Sequence, residues 1–418
     1  MIKVLRLIFE SLLFALNAVV VNRLRTLLSL LGITIGIFAI ISVFTIFDSL
    51  EANIRESISS LGSDIIYVQK WPWTEEDGQD YQWWQYVNRP VPNIQEYEEL
   101  RDRLTRAEEV AFVVSTNTNV KFRDNQIENI NFFGTSEGFE SIRDFEIQRG
   151  RYFTDFEMIS GKNIAIIGHE IANQLFGNLD PVNQLISIRG HKIKVIGVFE
   201  KEGKDNFGDS MDETILVPIN HVRNVVNIRR ESMNPMIWVK AAENVSNEEL
   251  IAELRMILRS IRRLKPTAED NFALNQTSML NNQLDQFFGT LDIAGWFIGI
   301  FSLLVGGFGI ANIMFVSVKE RTNMIGIQKA LGAKFYFILL QFIFESVLLA
   351  IAGGTIGLLL VFSGTVIINQ ITEFTISLTL GNIVSGLTIS SIIGIISGIA
   401  PAYSAAKLSP VNAINTTF

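Results

Sequence analysis

The chain of 418 residues contains no cysteine. Disulfide staples, thiolate metal sites and cysteine nucleophiles are therefore excluded, although that absence fixes no compartment. Histidine is scarce: His169, His191 and His221 are all there are, and none has a carboxylate or serine at a spacing that marks a catalytic or metal motif. Surface or capping roles suit them. No G-x-x-x-x-G-K-[ST] run occurs, so these residues hold no phosphate loop for ATP. Positive charge is also short. The 35 Lys and Arg face 43 Asp and Glu, a net of −8, which argues against a nucleic-acid binder with its usual basic face.

What is abundant is apolar. Hydrophobic residues make up 48% of the chain while charged residues still reach 19%. That mixture suggests apolar spans joined to an ordinary soluble domain, and the length allows two or three domains. A membrane helix needs about 20 apolar residues to cross a core of roughly 30 Å. Four stretches qualify: 27–50, 288–318, 335–368 and 383–404. The third is long, holds one charge, Glu345, and reads as a tilted or broken helix with an interfacial end. The fourth ends near Pro401, which a last turn tolerates. The fold expected is thus an α-helical membrane protein with four transmembrane helices, and a large mixed α/β extracytoplasmic domain (51–287) between helices 1 and 2.

Orientation follows from where lysine and arginine sit. Lys3, Arg6, Arg23 and Arg25 precede the first span, and Lys319, Arg321, Lys329 and Lys334 fill the loop at 319–334. The loop at 369–382 has Glu373 and no basic residue. Both termini and the 319–334 loop are therefore expected in the cytoplasm of a cell whose inner membrane holds the protein. Residues 51–287, with 26 basic against 37 acidic side chains, are expected outside. The first span has no small-residue cleavage site after it and reads as a signal anchor. Ahead of it, Val4, Leu5, Leu7, Ile8, Leu12, Leu13 and Leu16 recur near helical spacing, which predicts an amphipathic helix on the cytoplasmic face within 1–26. The tail, 405–418, is expected to be cytoplasmic.

Within 51–287 strands are expected at 64–69, 119–122, 127–133, 163–168 and 186–199, with turns at Arg123-Asp124-Asn125-Gln126 and Arg189-Gly190-His191. Helices are expected at 93–106, capped by Asn93, and at 246–263. Four of the six tryptophans, Trp71, Trp73, Trp83 and Trp84, fall in one short acidic segment with Glu75, Glu76, Asp77 and Asp80. Such density makes either a partner surface or interfacial anchor, or a loop that buries its rings in its own domain.

Gly307 and Ala311 give the second span a small-xxx-small face, and Gly32/Gly36 and Gly394/Gly398 mark others where helices can meet closely. That span leaves the membrane straight into a short charged helix. Its residues are Glu320, Arg321, Thr322, Asn323, Met324, Ile325, Gly326, Ile327, Gln328, Lys329, Ala330, Leu331 and Gly332. Ile325, Ile327 and Leu331 offer apolar knobs; Arg321 and Lys329 offer charges. A rigid helix joined to a span, in a loop too short to be a domain, suits passing motion between a soluble partner and the membrane. Glu345 lies about 16 Å into the bilayer at 1.5 Å per residue from Lys334, so it should be paired or protonated, with Asn312 a candidate partner. It serves either as a hinge or relay or as one end of an interhelical hydrogen bond.

The stretch Gly306 to Ala333 resembles the signature of the MacB/FtsX-type, or type VII, ABC permease family. Asn22 to Gly36 resembles the start of the family's first span. Ile164 to Gly168, Leu175 to Gly177 and Lys194 to Phe199 resemble its outer core domain, and Gly398 to Val411 the close of span four. The resemblance implies a homodimer, or a dimer with a related permease, docked on ABC ATPase subunits, with the loop at 320–333 as the coupling helix. It implies no enzyme activity in this chain: ATP and Mg would sit on the partner ATPase. It also implies efflux of drugs, peptides or other periplasmic substrates by mechanotransmission, through a periplasmic adaptor and outer-membrane channel. Alternatives are a lipoprotein-release permease acting on acylated clients at the membrane lipid, and an FtsX-like regulator of a cell-wall hydrolase. Met324 and Gln328 stand where the family usually has an acidic residue and Arg, and the tail from Ala413 to Phe418 also departs.

Overall fold

The computed structural model describes residues 23–59, 61–74, 82–203, 210–372 and 375–414. Residues 1–22, which hold most of the expected amphipathic helix, lie outside them, as do Glu75, Glu76, Asp77 and Asp80. The chain divides into two compact units, Met1–Asn53 with Gln286–Phe418, and Ile54–Asp285.

Helix α1 (Arg23–Ser59) leads to strand β1 (Ile65–Gln69), then to the short α2 (Trp83–Tyr86) and to α3 (Ile94–Arg103). A long hairpin, β2 (Ala107–Phe122) and β3 (Asn125–Thr135), follows. Next come α4 (Phe139–Ile142), β4 (Ile147–Gly150), α5 (Asp155–Ser160), β5 (Ile164–Ile167) and α6 (His169–Phe176). A second hairpin, β6 (Leu185–Ile188) and β7 (His191–Phe199), precedes β8 (Thr214–Pro218), α7 (Ile219–Val225) and β9 (Met236–Ala241). Helix α8 (Asn247–Ile261) and β10 (Ala273–Gln276) close the α/β unit.

Alternation of side chains along each strand builds that unit. Ile66, Val68, Phe112 and Val239 enter one core, which also takes Leu100 of α3 and Leu250 and Leu254 of α8. Their neighbours Ile65, Tyr67, Ala111 and Trp238 enter a second core with Phe139 of α4 and Met158 of α5. The ten strands between these cores run β10-β1-β9-β2-β3-β8-β5-β7-β4, with β6 pairing β2 and β7. Pairs β3/β8 and β5/β7 are parallel. Because both faces are covered, every residue of β5 and β8 is buried, and such strands read as continuous apolar runs.

Local chemistry fixes the ends. Asn93 caps α3 in a capping box with Glu96, and Ser246 caps α8. The first hairpin turn is tighter than the four residues expected, because Phe122 pairs with Asn125 and Lys121 with Gln126. Only Arg123 and Asp124 are left to turn, and Arg123 takes φ 53°, as a two-residue hairpin loop demands. The four tryptophans of the acidic segment differ in burial. Trp71 and Trp73 are half-buried on their own domain, the first donating to Glu231 at 3.1 Å and the second packed at a tilt against the Tyr67 ring. Trp83 and Trp84 are 58% and 57% exposed.

The other unit is helical. Helix α9 (Thr277–Glu320) is followed by α10 (Thr322–Ala330), α11 (Phe335–Ile371), α12 (Leu380–Lys407) and α13 (Pro410–Ile414). Helices α1, α9, α11 and α12 are each long and apolar enough to cross a membrane, and the α/β unit lies between the first and second of them in sequence. The third span is one uninterrupted helix of 37 residues and is not broken. Its glycines pack instead of breaking it: a Cβ at Gly357 would sit 3.1 Å from the Thr34 carbonyl of α1, and one at Gly354 would overlap Ser390 of α12. Pro401 lies inside α12, six residues before its end at Lys407 rather than in the last turn.

Candidate coupling site

The site begins where α9 stops. Glu320 ends α9, Arg321 (φ −102°, ψ 12°) leaves the helical conformation, and α10 starts at Thr322. Its far end is a Schellman motif. Gly332 takes φ 96°. Its N–H donates to Lys329 O at 3.1 Å, and that of Ala333 to Gln328 O at 3.0 Å. Leu-Gly-Ala at 331–333 is thus the sequence of a helix stop.

The two faces of α10 differ. Ile325 is 2% exposed and packs into the helical core with Ile338, Phe342 and Ala405. Met324, Ile327 and Leu331 are 38%, 49% and 84% exposed. Their spacing of three and four residues puts them on one outward stripe, beside Asn323 and Ala330, which are also exposed. Of the apolar residues expected to project, Ile327 and Leu331 do so; Ile325 points inward because it lies on the opposite side of the helix.

The charges also turn inward. Arg321 Nη1 lies 3.2 Å from Glu345 Oε2 of α11, with the two side chains 18% and 7% exposed. Ser317 of α9 bonds the same carboxylate. Lys329 Nζ donates to the carbonyls of Ala406 at 2.8 Å and Leu408 at 2.5 Å, satisfying acceptors that the end of α12 leaves free and placing a cation at its negative pole. Helix α13 packs on α10 beside this clamp. The partner of Glu345 is therefore Arg321 rather than Asn312, which is exposed on α9. Depth counted along α11 missed this, because the kink at Arg321 is what returns the guanidinium to α11.

The small residues lie on helix seams. A Cβ at Gly36 would come 2.8 Å from the Ser302 carbonyl, one at Gly307 2.7 Å from Ser397 Oγ, and one at Gly394 2.7 Å from Val347 Cα. A Cβ at Gly398 would overlap Ser346, whereas one at Gly32 would meet nothing within 4 Å. Ala311 is half-buried. Among the described residues no cluster of three or more His, Asp or Glu suits a metal. His221 is buried and its pKa is lowered by desolvation and then by the nearby His191, while the half-buried His169 meets Gln148 at 3.3 Å.

Comparison with known proteins agrees with this architecture. Residues 26–257 match the family described as the MacB-like periplasmic core domain, and 296–410 the FtsX-like permease C-terminal family. Macrolide export ATP-binding/permease protein MacB of Neisseria gonorrhoeae is 28% identical over 97% of this chain and 60% of its own length. MacB of Haemophilus ducreyi is 30% identical over 97% and 56%. The chain thus spans about 60% of the length of the first curated relatives it matches. The ABC transporter permease YknZ of Bacillus subtilis is 28% identical, with 97% of this chain and 99% of YknZ covered. Among solved structures, the periplasmic region of MacB from Actinobacillus actinomycetemcomitans overlaps 56% of this chain and 97% of its own at 15% identity and a TM-score of 0.44. With the MacB-like core match alone covering more than half of its residues, and the FtsX-like match most of the rest, this chain belongs to the MacB/FtsX-type family of ABC transporter permeases.

Proposed function

We propose that this permease takes ATP-driven motion from a separate ABC ATPase through α10 and passes it to its α/β domain, driving export of substrates that lie outside the membrane. The observation that carries the reading is the outward stripe of Met324, Ile327 and Leu331 on a helix whose charges are held by its own unit. Such a surface presents apolar contact area on a braced support, which is what docking on a moving partner needs. Basic residues around α10 favour a cytoplasmic position for it and an outside position for the α/β domain. ATP and Mg belong to the partner in this reading, and a second permease copy, or a related one, completes the membrane unit. Drugs, peptides and other periplasmic molecules are the substrate class. The MacB relatives carry macrolide export in their names. An adaptor and outer-membrane channel complete the route where the envelope has an outer membrane.

The test is photo-crosslinking in intact cells from Asn323 and Ala330, both exposed on the stripe side of α10, with the captured protein identified by mass spectrometry. Capture of a P-loop ATPase is expected. Repeated absence of an ATPase from the products, with the chain folded and the loop shown to be cytoplasmic, leaves a stand-alone membrane receptor. Co-purifying adaptor supports export; bound acylated protein or a bound hydrolase would replace export with lipoprotein release or regulation.

A further inference from the structure

The α/β unit is acidic as a whole, with 26 basic against 37 acidic side chains across 51–287, yet two of its strand runs are not. No Asp or Glu occurs at 115–122 of β2, or anywhere in 185–199, the hairpin of β6 and β7. Both runs carry cations: Lys121 in the first, and Arg189, Lys192 and Lys194 in the second. Strand alternation sends them outward. Thr118, Val120 and Phe122 are buried, which leaves Asn117, Asn119 and Lys121 exposed on the other face. Ile193 and Val195 are buried in the same way, and Lys192 and Lys194 are exposed.

Register gathers these outward residues. Lys121 pairs with Ser187, and Ser187 with Lys192. One row across three strands therefore reads Lys-Ser-Lys, its ends about 10 Å apart at the usual strand spacing. Arg189 follows in the turn between β6 and β7, with φ 49°. Its Nε donates to Thr118 Oγ1 and its Nη2 to the Asn117 carbonyl, both at 3.3 Å, so the guanidinium lies back along β2 with Nη1 uncommitted. Asn117 Nδ2 donates to Asn129 Oδ1 at 2.8 Å, and Asn119 Oδ1 accepts from Asn129 N at 3.1 Å. Both amides are thus fixed, each with its other polar atom left over. Among the described residues, none of the four cations is ion-paired. Glu128 of β3 is taken up by Gln126, whose Nε2 donates to it at 2.8 Å.

Asn117, Thr118, Asn119, Lys121, Ser187 and Arg189 line an open basin of about 560 Å³. That size suits a small ligand. No aliphatic or aromatic side chain lines it, so it lacks the anchors that a docked protein or an apolar drug would need. Arginine and lysine recognise oxyanions. Asparagine amides and the serine hydroxyl both donate and accept, which matches hydroxyl groups. Cations gathered on one face also repel one another, and a bound anion relieves that repulsion. We propose that this basin binds a small hydroxyl-rich molecule bearing an oxyanion, a sugar phosphate in chemical class, with Arg189 and Lys121 on the anion and Asn117, Asn119 and Ser187 on the hydroxyls. The site goes beyond force transmission through α10 and does not depend on it.

The test is isothermal titration of the full chain in nanodiscs of phosphatidylcholine. Glucose 1-phosphate and inositol 1-phosphate are the probes, with inorganic phosphate and glucose as the two halves alone. At least one sugar phosphate is expected to bind tenfold or more tightly than either half, as added bonds to a charged group imply. Arg189→Gln and Lys121→Gln are each expected to weaken it about tenfold. Lys265→Gln, which removes an exposed cation elsewhere in the domain, is expected to leave it unchanged, and unaltered melting temperatures show that the variants are folded. Flotation with phosphatidylinositol vesicles separates the sources: capture that both Gln variants abolish supports a lipid-borne head group, and binding of the free probes alone supports a soluble ligand. No binding of any of these phosphates, or binding that both variants leave intact, overturns the proposal. So does inorganic phosphate that binds as tightly as the sugar phosphates, since the amides would then contribute nothing. No ATPase is present, so the crosslinking result stands or falls by itself.

Discussion

At the scale of single residues the clearest electrostatic feature of the α/β domain is Glu157. Its carboxylate receives two bonds from Arg151, at 2.7 and 2.8 Å, and caps Thr154 in the capping box that opens α5. The Arg151 bonds and then the Thr154 contacts hold its pKa down to about 2. A depressed carboxylate stabilises the fold fully above its ordinary pKa, near 4.5, and loses that contribution as pH falls through the folded value. Glu157→Gln is therefore expected to cost about 1 kcal/mol at pH 7, the usual worth of a cap, with the gap closing between pH 4.5 and 2. Thermal unfolding followed by tryptophan fluorescence across that range checks it; a gap that persists undiminished at pH 2 would assign the loss to packing. Arg151 is half-exposed, so solvent limits what its charge adds. The pairing of Glu345 shows the limit of reading single residues from sequence. A buried carboxylate calls for a partner, and that need was legible; which cation answers it depends on a one-residue kink at Arg321 that no periodicity marks.

At the scale of elements, α10 and its C-cap Leu331 present one exposed face and one buried face. Leu331→Ser is expected to leave the protein as stable as before, within about 0.5 kcal/mol for so exposed a site, while reducing ATPase capture from Asn323. Ile325→Ser removes a side chain buried among Ile338, Phe342 and Ala405 and is expected to lower folded protein, at a cost of about 2 kcal/mol or more. Yield from detergent extraction and crosslinking efficiency, measured together, separate the two; equal loss of both in both variants would remove the distinction between the faces. How far elements could be read from sequence follows the same physics. The spans, the two capped helices and the tips of both hairpins were legible because length, caps and turn residues are local signals. The inner half of β2, together with β8 and β9, was not. These strands are covered on both faces, so Val110 to Val114 and Ile215 to Val217 are apolar without alternation and resemble any buried run. The pairing of Thr135 with Pro218 across sequence-distant strands is likewise invisible before the fold exists.

At the scale of the whole molecule, the absence of cysteine opens the helix seams of the membrane unit to a locking experiment. A Cβ built on Gly299 would stand 3.7 Å from Ile40 Cβ, and one on Gly357 would stand 3.4 Å from Ile37 Cβ. Both lie close to the span of a disulfide, roughly 3.5–4.5 Å between Cβ atoms. The pair Ile40→Cys with Gly299→Cys therefore fixes α1 to α9, and Ile37→Cys with Gly357→Cys fixes α1 to α11, less than one helical turn away on the same helix. If α1, whose Thr34 Oγ1 donates to Gly353 O of α11 at 3.2 Å, moves with α11 while α9 shifts, the two locks have opposite consequences. The α1–α11 lock joins parts that already travel together, and ATP turnover by the complex with its captured ATPase is expected to continue. The α1–α9 lock stops the sliding seam, and turnover is expected to fall until reductant restores it. Reversal by reductant is the decisive control, since a packing defect from cysteine in place of Gly299 or Gly357 persists after reduction. The opposite pattern, with turnover lost only in the α1–α11 lock, would place the moving seam between α1 and α11 and assign α9 to the body that carries the motion.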